Sequence, residues 1–85
     1  MDWEKTGRTR MMMRLPRHRQ QIAETNFLAM TDILEAYGKA AVTLDELRKQ
    51  AFPDRDRVKE YEALARKLEG DVVRILAAAS PGTTR

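Results

Sequence analysis

Two stretches of this chain repeat one hydrophobic rhythm, and that rhythm restricts the fold to packed helices. Ala23, Phe27, Met30, Leu34, Tyr37 and Ala41 are spaced 4, 3, 4, 3, 4, and Val58, Tyr61, Ala65, Leu68, Val72, Ile75 and Ala79 are spaced 3, 4, 3, 4, 3, 4. At 3.6 residues per turn, alternating threes and fours bring side chains onto one stripe of an α-helix. Two such stripes with a short connector predict an all-α fold, an antiparallel hairpin of two long amphipathic helices.

Local signals set the expected boundaries. Pro16 disfavours helix at Leu15 and suits a first helical turn, and Gly38 reads as a C′ glycine, so the first long helix is expected over about 17–37. Thr43-Leu44-Asp45-Glu46 has the form of a capping box and predicts a short helix over about 44–51, ended at Phe52-Pro53. The second long helix is expected over about 54–79, with Asp54 and Asp56 at its positive end and Glu62–Arg66 as an i,i+4 pair. Gly70 interrupts it at a cost of about 1 kcal/mol against alanine, yet the seam keeps its phase from Leu68 to Val72, which argues for continuity. Leu28 falls among polar residues, off the stripe.

Residues 1–15 show no clean period and hold Gly7 and a methionine triplet; they read as a flexible basic N-terminal arm, ahead of a helical domain over 16–80 and a tail over 81–85. Charge supports that division. The chain has a net charge of +3, but residues 1–20 set six basic groups against Asp2 and Glu4, while the rest holds ten basic and eleven acidic groups. The excess charge therefore sits in the arm. No apolar run approaches the roughly 20 residues that span a bilayer, Asp2 and Glu4 do not suit a secretory signal, and there is no cysteine, so a soluble cytoplasmic chain with no membrane partner is the expectation.

The chemical inventory is thin. His18 is the single histidine and lies between Arg17 and Arg19, whose charge repels both a proton and a metal, so it is expected to be a solvated surface residue. No Glu-x-x-His pair is present for a helical di-metal site, no cysteine or suitably placed histidine supports nucleophilic catalysis, and the four glycines are too scattered to cradle a phosphate. The long–short–long helix order invites comparison with the all-helical chorismate mutases, but those need cationic side chains converging inside the bundle, and here the stripe is apolar. The expectation is a non-enzymatic protein with no cofactor and no metal.

Function is instead sought in surface. Ile22, Ile33, Leu64, Val73 and Leu76 lie beside the two seams, and a lone hairpin hides only part of such wide faces. Burying one large apolar side chain is worth about 1.5–3 kcal/mol, so leaving several exposed favours association. The expected role is a helical protein–protein interaction module (homo-oligomeric adaptor, small chaperone or regulatory subunit) forming a four-helix-type bundle on association. Its expected partner is a second copy of itself, as a homodimer, or another protein's amphipathic helix. The candidate interface on the first helix is Ile22, Phe27, Met30, Ile33, Leu34 and Tyr37. On the second it is Tyr61, Leu64, Leu68, Val72, Ile75 and Leu76. The alternative is a dimeric nucleic-acid-binding regulator, or one that docks an acidic partner, using Arg8, Arg10, Arg14, Arg17 and Arg19 of the arm.

Overall fold

The computed structural model describes residues 2–78. Ala79, the last position of the second seam, and the tail over 81–85 lie outside the described residues. The described chain is all-helical: α1 (Trp3–Arg14), a 3-10 turn (Pro16–His18), α2 (Arg19–Glu24), α3 (Leu28–Lys49) and α4 (Arg55–Ala78). None of these helices is long and apolar enough to cross a membrane.

The expected arm is instead a helix docked on the rest of the molecule. Asp2 caps α1, its Oδ1 accepting from the Lys5 N–H at 3.0 Å, and Glu4 lies in the first turn. Trp3, Gly7 and Met11, four residues apart, share one face of α1, and Gly7 and Met11 are buried. That strip packs lengthwise on α3. The two backbones touch at a pair of glycines. A Cβ added to Gly7 would collide with the Leu34 carbonyl and sit 2.8 Å from the Gly38 nitrogen; one added to Gly38 would collide with the Trp3 carbonyl and sit 2.9 Å from the Gly7 nitrogen. Gly38 is therefore the floor of a helix crossing and not the end of a helix.

This changes the expected boundaries of the first long helix and of the connector. The predicted helix over 17–37 is broken at residues 25–27 into α2 and α3, and the predicted short helix over 44–51 is the continuation of α3 through Gly38 and Thr43. The break has a visible partner: the Arg8 guanidinium donates to the carbonyls of Ile22 and, at 2.6 Å, Thr25, satisfying acceptors that α2 leaves open at its C-terminus. The continuation follows from packing, since Leu44 and Leu47 extend the buried face of α3 and a cap at Thr43 would interrupt it. Asp54 opens α4, its Oδ1 accepting from the N–H groups of Asp56 (3.1 Å) and Arg57 (3.2 Å), and α4 runs unbroken through Gly70.

α3 and α4 pack with opposite chain directions, Arg48 meeting Glu62 and Tyr37 meeting Glu69. The core collects Met11 from α1, Ile22 from α2, Met30, Leu34 and Tyr37 from α3, and Leu68, Val72 and Leu76 from α4. The two sequence stripes thus face each other as expected from Met30 onward, with the unexpected α1 closing one side. The first two stripe positions, Ala23 and Phe27, fall around the break and are exposed.

Candidate functional site

A cleft of about 510 Å³ opens between α1, α3 and α4, with Met13, Tyr37, Ala41, Leu44 and Ala65 as its apolar lining. Around them stand Arg10 and Arg14 from α1, Asp45 and Arg48 from α3, and Glu62, Arg66 and Glu69 from α4. Six of these seven charges are paired across helices. Arg10 meets Asp45 at 2.6 Å, Arg48 meets Glu62 at 2.6 Å, and Arg14 meets Glu69 at 3.3 Å. Glu62 thus turns to α3 and not to Arg66 four residues along its own helix, and Arg66 has no ion pair among the described residues. Each pair is partly solvated, which limits it to about 1 kcal/mol or less. Together they set the position of α1 and α4 over α3 more than they hold the fold together.

Tyr37 is the buried polar group of the cleft. Its hydroxyl donates to Glu69 Oε2 at 2.8 Å. Burial, then the hydrogen bond to Glu69, then the Glu69 charge raise its pKa well above the usual tyrosine value, against a smaller opposing effect of Arg14 and Arg10. The phenol is accordingly a fixed neutral donor. With its carboxylates committed to arginines and to this phenol, the cleft works as a polar clamp between helices. Among the described residues no cluster of three or more histidine, aspartate or glutamate side chains is placed to hold a metal ion.

The interface candidates separate into two groups. Ile22, Met30, Leu34, Tyr37, Leu68, Val72 and Leu76 are buried inside the single chain. They form its own core and are not open to a partner in this conformation, because α1 and α2 supply cover that the periodicity alone did not reveal. Ile33, Tyr61 and Ile75 are half-buried, and Phe27 and Leu64 remain 43% and 39% exposed. Leu28, at 75% exposed, does lie off the packed face, and Phe52 in the α3–α4 connection is 94% exposed. On the flank of α4 away from the cleft, Arg57, Glu60, Tyr61 and Leu64 line a shallow depression of about 410 Å³.

The five candidate arginines separate likewise. Arg8 is bound to Glu4 and to the α2 carbonyls, Arg10 to Asp45 and Arg14 to Glu69. Arg17 and Arg19 are exposed around the 3-10 turn, and neither has an ion pair among the described residues. Two such groups are few for the steeply salt-dependent phosphate contact that five would make. His18 stands beside them with Nδ1 3.3 Å from Gln21 Oε1. The sequence signal for the docked helix was present in Trp3, Gly7 and Met11, but glycine does not register as apolar and the strip is only one residue wide.

No protein-family model, curated protein or solved structure matches this chain.

Proposed function

We propose that this chain is a non-enzymatic helical protein–protein interaction module that self-associates through apolar side chains its own core leaves uncovered. The observation that carries the reading is the flank of α4 away from the cleft, where Leu64 is 39% exposed beside half-buried Tyr61. α1 packs on α3, whereas Tyr61 and Leu64 of α4 line an open depression. Water against these side chains costs free energy at roughly 25 cal/mol per Å², so a second helical surface laid on them is favoured. Association of two copies through this flank would bring two α3–α4 pairs together as a four-helix-type bundle, with α1 and the charged cleft on the outside.

The reading is tested by sedimentation equilibrium on the isolated chain across low to high micromolar concentrations. A reversible dimer or higher oligomer is the expected result. A well-ordered monomer throughout that range overturns it.

A further inference from the structure

The uncovered flank carries a charge pattern that specifies one mode of self-association. Arg57, Leu64 and Asp71 are seven residues apart, so they form one line along α4, drifting only about 20° per step. They are symmetric about Leu64: Arg57 lies one heptad before it and Asp71 one heptad after, each about 10.5 Å away along the axis. On the adjoining line Glu60 lies four residues before Leu64 and Lys67 three after, in the opposite charge order, acid before and base after. Arg57 is exposed and has no ion pair among the described residues. Lys67 and Arg74 are both largely exposed and share Asp71, so two cations stand around one carboxylate.

We infer that α4 pairs with α4 of a second copy in antiparallel orientation, about a two-fold axis passing beside Leu64. The proposal rests on the self-association reading above and supplies its geometry. In an antiparallel pair centred on Leu64, a residue n places before it meets the residue n places after it on the other chain. Arg57 then faces Asp71 of the second copy, Glu60 faces the region of Lys67, and the two-fold repeats each pair. The depression beside Tyr61 receives the Leu64 side chain of the other copy. A parallel pair would instead set Arg57 against Arg57 and Asp71 against Asp71, and like charges in register oppose it.

The absence of cysteine makes the geometry directly testable, because each introduced thiol is the only one in the chain. Leu64→Cys is expected to cross-link to itself under mild oxidation, since only a residue at the axis comes within the Cα separation of a disulfide, about 4.4–6.8 Å, of its own copy. Arg57→Cys alone is expected not to cross-link, its copies lying about 21 Å apart along the helices, whereas a mixture of Arg57→Cys and Asp71→Cys chains should give the mixed dimer. Separately, Arg57→Asp and Asp71→Arg should each weaken dimerisation about tenfold, and the double reversal should restore it, with circular dichroism reporting that helix content is kept. Self-cross-linking of Arg57→Cys, or a dimer unaffected by the reversals and not cross-linked at position 64, overturns this pairing while leaving self-association standing. A chain that stays monomeric overturns both.

Discussion

Gly7 and Gly38 have the most exacting positions in the chain, because each lies under the other helix's backbone. A carbonyl or amide fixed in a helix cannot move aside as a side-chain tip can, so overpacking there is expected to cost at least about 1–3 kcal/mol. Gly38→Ala gains about 1 kcal/mol of helix propensity and should still destabilise the fold in urea titrations. Gly70 is the contrast, since a Cβ there meets only the Arg74 Nη1 at 3.7 Å. Gly70→Ala is expected to stabilise by about 1 kcal/mol in the same titration. Tyr37 gives a pH signature. Its folded pKa is raised above the unfolded value near 10, so the folded state favours the neutral phenol. That contribution is fully present below about pH 10 and is lost as pH rises beyond it, toward the folded pKa. Tyr37→Phe should therefore show a shallower loss of stability between neutral and strongly alkaline pH, at the expense of a hydrogen bond worth about 1 kcal/mol at neutral pH.

Among the elements, α1 is decisive. Read as a basic arm it would be dispensable, but it supplies Met11, 0% exposed, to the core, the Gly7 contact to α3, and Arg8 to the end of α2. Deleting residues 2–15 is expected to expose the faces of Ile22, Met30 and Leu34, lower the thermal midpoint and raise dye binding to apolar surface; an unchanged melting curve would contradict the docking. The start of α4 was legible in advance because an aspartate cap and a proline-bearing connector agree there, and its continuity through Gly70 because the heptad is sustained. Those of α3 were not. Its glycine and its capping-box residues, taken locally, signal a stop and a start, and tertiary contacts override both: Gly38 is used for close approach, and Leu44 and Leu47 are buried only if the helix continues.

At the scale of the whole molecule, the fold is thin. Its extents are 52 × 24 × 20 Å and its radius of gyration is 14.0 Å, against about 12 Å for a compact domain of this length. An elongated layer of helices has more surface for its volume than a sphere, and a small domain buries little to begin with. The apolar residue left over is modest, because α1 and α2 already cover most of the first stripe. Association is therefore expected to be reversible, with a thermal midpoint that rises with protein concentration. Leu34→Asp should unfold the chain at any concentration, since Leu34 is 0% exposed, whereas Leu28→Asp, at a site 75% exposed, should leave the fold intact.

From the sequence alone follow the helical class, the α4 register and the stripe that α3 and α4 share, because helical period is a property of neighbouring residues. The tertiary structure decided which apolar residues stay exposed and which arginines stand without an ion pair among the described residues. Both depend on what lies across the chain. Met11 and Ile22 meet Met30 and Leu34 only after folding, and Arg10 and Arg14 find Asp45 and Glu69 at separations no local pattern encodes. The glycine pair is the sharpest case: two residues without side chains carry no hydrophobic signal, yet they let α1 close onto α3.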